Sequence, residues 1–460
     1  DIKIGGGYSS ENNQQREIKS DTLLPISFAF NTWQVYISSS DKKPNKWGIT
    51  YSSRENKIPF LKDLITQDRS RNLSVTTELM KNQHEQLRVK ATYRELDVIN
   101  KGIANEQSDK SLLGRVEYAV NEWKGFLNGN VLYEVGSGQE QKLEYTYIQV
   151  PAGQGYYTWN DYNKDGIPQL NEFEVAIYDD QKTWIRVFTP TNDYVKANYI
   201  QFNYNVTLNP SLIIPANTTH HFLKFIRRFS TSSLLQTNKK QVSNGGFDFD
   251  PLSKKVIDTS LLSLNSFLTN TVYFNRTSSV WGIDLTHRLN SSKALLNYGF
   301  ESNSFRDLSI KGRWNLSRAI ATSLTNKLDR NQLVNPTFSN RNYRVDEVSA
   351  EPSISYIYKS DFRVSLIYTY DTRNNKIDSS ESAINNQIAA EVKYNVLSNG
   401  TINARFSFNN IKFTGDPNST VVYTLLKGLL PGKNYLWNLG LTKTLAGSIE
   451  LNLQYDGRKA

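Results

Sequence analysis

Within residues 155–174, GYYTWNDYNKDGIPQLNEFE, the positions Asp161, Asn163, Asp165, Gly166 and Glu172 fit the calcium-loop spacing D-x-[DN]-x-[DN]-G-x5-E at every required place. Ca²⁺ is a hard cation that takes roughly six to eight oxygen ligands. Asp161, Asn163 and Asp165 would supply side-chain oxygens from alternate positions. Ile167 would add its backbone carbonyl, Gln169 a direct or water-mediated ligand, and Glu172 both carboxylate oxygens. Gly166 would permit the sharp turn. The alternative is an acidic surface turn, but a match at all the specified positions favours one bound Ca²⁺.

Pro168 sits where paired calcium loops use a backbone N–H, which proline lacks. The sequence has no second loop of this kind, and the flanks YYTW and FEVAIY read as strands. The motif is therefore expected to staple a long connection at about 150–192. A calcium sensor would need a helix pair that opens, and none is legible.

Other reactive chemistry is sparse. There is no Cys, so thiol chemistry and disulfides are excluded. His220 and His221 are the only histidine pair; adjacent side chains on a strand face opposite ways, so they make a poor joint metal site. No nucleophile elbow, zinc-protease, P-loop or dinucleotide fingerprint occurs. The glycine runs at 5–7 and 136–138 lack the strand-to-helix setting that cradles phosphate. Asp179 and Asp180 read as electrostatic company for the calcium loop. No enzyme is expected, and no nucleic-acid partner either: the net charge of +10 is spread along the chain.

The elements that must carry this loop show period two. In 199–209, Ile200, Phe202, Tyr204, Val206 and Leu208 alternate with Gln201, Asn203, Asn205, Thr207 and Asn209. The same alternation puts Leu366, Tyr368 and Tyr370 opposite Ser365, Ile367 and Thr369, Phe406 and Phe408 opposite Ser407 and Asn409, and Leu451 and Leu453 opposite Asn452 and Gln454. Many segments approach the roughly ten residues that a tilted strand needs to cross a bilayer. No apolar run is long enough for a spanning helix, and a mean hydropathy of −0.54 does not argue against a barrel, whose strands are apolar on one face only.

Short connections are expected at Asn82-Gln83, Asn121-Glu122, Asn290-Ser291, Ser360, Ser398-Asn399-Gly400 and Ala446-Gly447. Long polar ones are expected at 55–72, 96–110, 150–192, 236–258, 372–384 and 414–432. Their alternation suits tight periplasmic turns and long external loops. Trp33, Trp47, Trp281, Trp314 and Trp437 are expected near strand ends, as interfacial girdles. Counting short turns back from the C-terminus places that terminus on the long-loop side, so a further closing strand, or a partner chain, is expected beyond Ala460.

Several stretches resemble the C-terminal barrel region of large, poorly characterised outer-membrane proteins of the Bacteroidota. They are NKWGITYSSRENKIPFLKDLITQDRS, DKSLLGRVEYAVNEWKG, VPAGQGYYTWNDYNKDGIPQLNEFEVA and LLKGLLPGKNYLWNLGLTKTLAGSIELNLQYDGRK. The resemblance implies a location in the bacterial outer membrane and a barrel preceded by periplasmic domains. By analogy with the giant barrels of gliding and type IX secretion in that phylum, it suggests a transport or export role. Such proteins end on a terminal aromatic residue, whereas this sequence stops at Ala460.

The expected fold is all-β: a large antiparallel transmembrane β-barrel of roughly 18–22 strands. It forms one domain over 1–460 with the calcium-loop insertion, as a piece of a longer protein. The expected function is a transport, secretion or assembly component of the outer membrane. Its partners would be outer-membrane lipid and other outer-membrane or periplasmic subunits, and its cofactor one Ca²⁺. The rival is a soluble or surface-exposed, calcium-stabilised β-rich adhesin or glycan-binding module.

Overall fold

The computed structural model of the chain describes residues 2–102, 108–243, 250–251, 260–296, 299–359, 361–377, 381–396, 400–446 and 449–460. Its strands are β1 (Ile2–Asn13), β2 (Phe28–Ser39), β3 (Asn45–Phe60), β4 (Asp63–Leu79), β5 (Glu85–Val98), β6 (Asp109–Glu122), β7 (Leu127–Gln149), β8 (Tyr157–Trp159), β9 (Phe173–Val175), β10 (Trp184–Leu208), β11 (Phe229–Val242), β12 (Leu261–Phe274), β13 (Trp281–Leu296), β14 (Gly299–Asn315), β15 (Ile320–Val334), β16 (Tyr343–Tyr358), β17 (Phe362–Asn375), β18 (Ser382–Val396), β19 (Gly400–Thr414), β20 (Gly432–Ala446) and β21 (Ile449–Lys459). Two short helices, α1 (His221–Ile226) and α2 (Val422–Leu426), lie in connections. Among the described residues no helix is long and apolar enough to cross a membrane.

The protein is all-β and antiparallel, as its period-two sequence requires. Apart from β8 and β9, every described strand has 11 residues or more, which makes nineteen long strands among the described residues. The chain divides into two compact units. Unit 1 holds Asp1–Glu144, Thr189–Leu208 and Leu234–Ser266; unit 2 holds Tyr145–Phe188, Asn209–Ser233 and Phe267–Ala460.

In unit 1, β1 to β7 pair each with the next. The first residues, unpatterned in sequence, form β1 in full register with β2. A Cβ on Gly136 would meet the Tyr199 ring at 2.3 Å, so the glycine makes room for a tyrosine laid flat across the sheet.

In unit 2, β13 to β21 likewise pair in sequence order. The two faces of this sheet differ sharply. On one, Leu324, Leu328, Val348, Ile354, Leu366, Tyr368, Ile388 and Phe406 stand exposed. On the other, Asp307, Ser349, Ser365, Asp371, Arg373, Asn385, Ser407 and Asn409 are buried. Hydroxyls pair across strands on that polar face: Ser323 with Ser353 at 2.7 Å and Ser355 with Ser365 at 2.8 Å. An apolar core does exist, but it is local. Leu333, Tyr343, Val345, Ala383 and Ile411 receive Val421, Leu425 and Leu426 from the connection that carries α2.

Several expected boundaries move. The stretch 55–72 is mostly strand, since β3 and β4 meet at a tight turn at 61–62. Asn290 and Ser291 lie inside β13, opposite Phe305 and Ser304, so that turn is absent. The long connections shorten to 99–108, 150–183 and 376–381, while 415–431 stays close to expectation. Asn121-Glu122 closes β6 before a 3-10 turn at Trp123–Gly125. Ser360, Ser398-Asn399, Gly447 and most of 244–259 lie outside the described residues. His221 opens α1, so the histidine pair is not on a strand. Trp47, Trp281 and Trp314 fall near strand ends, but Trp33 and Trp437 are mid-strand, and Trp437 lines a polar cavity.

Candidate functional site

The connection 150–183 is held up by a small hairpin. Tyr157, Thr158 and Trp159 of β8 pair with Val175, Glu174 and Phe173 of β9, and Tyr157 also pairs with Trp184 at the start of β10. Aromatic packing fixes it: the rings of Phe173 and Tyr147 stack at 3.8 Å, and Trp184 meets Phe173 edge-on at 5.1 Å.

Between the hairpin strands lies the acidic loop. Asp161 accepts the N–H of Gly166 on Oδ2 at 2.8 Å and that of Asp165 on Oδ1 at 3.2 Å. Asn163 Oδ1 accepts the Asp165 N–H at 3.0 Å, and Asp165 Oδ1 accepts that of Ile167 at 2.7 Å. The Gln169 amide donates to Asp165 Oδ2 at 2.7 Å. Lys164 and Gly166 take left-handed φ of 62° and 73°, which curls the chain round these oxygens. Glu172 is buried, and its Oε2 accepts from the Trp159 indole at 2.8 Å and the Gln169 N–H at 3.2 Å.

The structure thus brings Asp161, Asn163, Asp165 and Gln169 into one hydrogen-bonded network centred on Asp165 and joins Glu172 to it through Gln169. The Ile167 side chain points to solvent. Among the described residues no three His, Asp or Glu side chains converge closely enough to hold a metal ion as they stand. The loop has the turn and the oxygen donors of a calcium loop, closed upon its own amides.

No motif or periodicity signals the contacts that dock this loop. Arg341, buried in the connection 335–342, ion-pairs with Glu174 at 3.3 Å and Glu301 at 3.3 Å and donates to the Phe173 carbonyl at 3.2 Å. Burial pushes the Glu174 carboxyl up from its ordinary range, and the Arg341 guanidinium only partly pulls it back. The Tyr162 hydroxyl, raised by burial, donates to the Thr420 carbonyl at 3.3 Å. The Tyr423 hydroxyl of α2 accepts the Ile177 N–H at 3.0 Å and lies 2.7 Å from the Gln181 amide group. Arg458 of β21 holds Asp180 at 2.6 Å and stacks over the Tyr178 ring at 4.8 Å.

α2 ends cleanly. Lys427 and Gly428 adopt φ of 51° and 73°, and the Gly428 N–H returns to the Tyr423 carbonyl at 3.0 Å. The turn sets Lys427 2.7 Å from Glu347 on β16, while Arg373 of β17 donates to the Leu425 carbonyl at 2.6 Å. Two connections, 150–183 and 415–431, are thereby bound to each other and to the polar face of β15–β17. Beside them lies a cavity of about 750 Å³. Its walls carry amides, hydroxyls and paired charges, among them Asn385, Gln387, Ser407, Asn409, Arg373 and Asp371.

No protein-family model matches the sequence, and no curated protein is similar to it in sequence. Among solved structures, a variant of the ferric enterobactin receptor of Pseudomonas aeruginosa is similar over 98% of this chain and 74% of its own, at 9% identity and a TM-score of 0.33. OmpT, an outer-membrane protein of Vibrio cholerae, is similar over 87% and 98%, at 10% identity and 0.31. The ferric-catecholate import receptor Fiu of E. coli is similar over 98% and 73%, at 10% identity and 0.35. At scores this low the similarity assigns the chain neither a family nor a function.

Proposed function

We propose that this chain is an integral outer-membrane β-barrel of a transport, secretion or assembly system, with two connections docked on the polar face of the unit 2 sheet. One observation carries the reading: the sheet of unit 2 is inside out. Leu366, Tyr368, Ile388 and Phe406 are exposed while Ser365, Asp371, Arg373, Asn385 and Ser407, their neighbours along the same strands, are buried. In water such a face would be costly, since each large apolar side chain contributes roughly 1.5–3 kcal/mol when it leaves solvent. Lipid removes that cost, and the polar face then lines the lumen. Strands of 14 to 17 residues in β13–β19 exceed the length needed to cross a bilayer and leave polar extensions beyond it.

Under the same reading the docked connections 150–183 and 415–431 lie on the external side, where barrels carry their long loops. One Ca²⁺ binds in the first of them through Asp161, Asn163, Asp165, Glu172, the Ile167 carbonyl and Gln169. The ion would replace the loop's own N–H donors as the partner of these oxygens. The reading gives the chain no catalytic role; its partners are lipid and other outer-membrane or periplasmic subunits.

The test is membrane association. The chain should need detergent to stay dispersed, and after refolding with phospholipid vesicles it should float with them and resist carbonate extraction. A chain that remains monodisperse in buffer without detergent or lipid sinks the barrel and favours a soluble β-rich module.

A further inference from the structure

Three connections of unit 2 border one another: 209–228, 275–280 and 316–319. The Asn275 N–H donates to the Arg228 carbonyl at 2.9 Å, and the Asn315 N–H to the Val280 carbonyl at 2.8 Å. Arg313 bridges them by donating to the Asn275 carbonyl at 2.8 Å. Together these segments contain Lys224, Arg227, Arg228, Arg276 and Arg318 and not one Asp or Glu. The connection 150–183, at the other end of β10, has six carboxylates against two lysines.

The basic rim is also apolar where it meets solvent. Phe222, Leu223 and Phe225 of α1 are exposed, as are Leu212, Trp314 and Leu316. Phe225 joins Phe229, Phe274 and Trp281 in a chain of ring contacts, each link between 4.7 and 5.8 Å. Arg228 lies over Phe274 at 4.6 Å and Trp281 at 5.5 Å, which presents a cation at the edge of an aromatic surface. Short basic helices with exposed aromatic residues lie in membrane interfaces, where the rings enter the acyl boundary and the cations meet phosphate.

We infer that this rim docks on the acidic phospholipid headgroups of the bordering leaflet. The inference rests on the barrel reading and adds a lipid class to it. Charge complementarity selects the occupant: an acid-free surface with five cations suits an anionic headgroup and gives a zwitterionic one no advantage. The docking would fix the height of β13–β15 in the bilayer.

The experiment uses the full chain in detergent, titrated with dioleoyl-phosphatidylglycerol or dioleoyl-phosphatidylcholine and followed by native mass spectrometry. Phosphatidylglycerol should bind more tightly. The variant Lys224→Gln/Arg276→Gln/Arg318→Gln changes exposed side chains only. It should weaken phosphatidylglycerol binding by at least about fivefold. The control Lys164→Gln/Lys412→Gln/Lys433→Gln, also exposed, should leave it unchanged. If the rim triple does not refold, Lys224→Gln alone should shift binding in the same direction. Equal affinity for the two lipids, or a rim variant that binds like the parent, overturns the inference. So does a dimer mass that is lost with Phe222→Ser, which would give this face to a second copy. Failure to float with vesicles overturns the barrel reading itself, and is scored separately.

Discussion

Arg341 and Glu174 meet at 3.3 Å across 167 positions of sequence, and Glu301 approaches the same guanidinium from β14 at 3.3 Å. One buried cation thus holds two carboxylates. Removing the cation is expected to be worse than removing either anion. Arg341→Gln should cost about 3–5 kcal/mol of docking or fold stability, because it strands two carboxylates. Glu174→Gln should cost much less, since Glu301 remains and burial already disfavours the Glu174 charge. Denaturation midpoints of the two variants in detergent check the order; equal losses would show that Arg341 is not the anchor.

Glu174 also sets a pH dependence. Its carboxyl is raised in the folded state, so that state binds the proton more tightly than the unfolded one. Ionisation above the raised pKa therefore weakens docking, and docking tightens as pH falls through it, before the ordinary glutamate range of about 4.3 is reached. Hydrogen-exchange protection at 173–178 should rise as pH is lowered towards the ordinary glutamate range of about 4.3, and this slope should vanish in Glu174→Gln. A steady loss of protection on acidification contradicts the assignment.

Gln387 and Ile388 are neighbours on β18, one lining the cavity and the other exposed. Arginine at Ile388 should cost roughly 2–4 kcal/mol in lipid. Arginine at Gln387 should be nearly neutral, since it enters a polar, open space. Refolding yields and urea midpoints in bilayers separate the two, and indistinguishable values would count against a lipid-facing Ile388.

Calcium is expected to order the loop and nothing more. With three charged ligands and no partner loop, affinity should lie on the order of 10⁻⁴–10⁻³ M. Chelation should raise exchange at 160–172 and leave β13–β21 protected, and Glu172→Gln should abolish the calorimetric signal. Absence of any heat at millimolar calcium in the parent would dismiss the site.

Gly457 of β21 lies opposite Trp437 of β20, and a Cβ there would come within 2.3 Å of the indole. Gly457→Ala should cost roughly 1–3 kcal/mol through overpacking. Adding Trp437→Leu should recover part of that loss. Additive effects would mean that the ring moves freely.

Much of the sheet was legible because its exposed and buried faces differ in residue type. Phe406, Ser407, Phe408 and Asn409 alternate in type as they alternate in burial. The reading failed at 55–72 for a physical reason. There 55–57 and 66–72 are polar on both faces, and Glu55–Arg69 and Arg71–Asp97 pair across strands at 2.8 and 3.0 Å, so period two fades while the ladder continues. Asn290-Ser291 misled for a related reason: turn-forming residue types sit within a hydrogen-bonded register. The acidic loop was legible because its chemistry is local. Its anchors were not, since Arg341, Thr420, Tyr423 and Arg458 lie far along the chain and carry no periodic signal.

The ties of the loop 150–183 fix an order of events. Asp180 waits for Arg458, 278 residues later, and Tyr162 for Thr420, 258 residues later. Closing such long chain segments is entropically expensive and slow until the intervening strands have paired. The loop is thus made early and seated late: it stays undocked while β11 to β20 assemble, and it is anchored only once β21 has formed. Proteolytic sensitivity at 160–182 would then serve as a clock, lost only when β21 is in place.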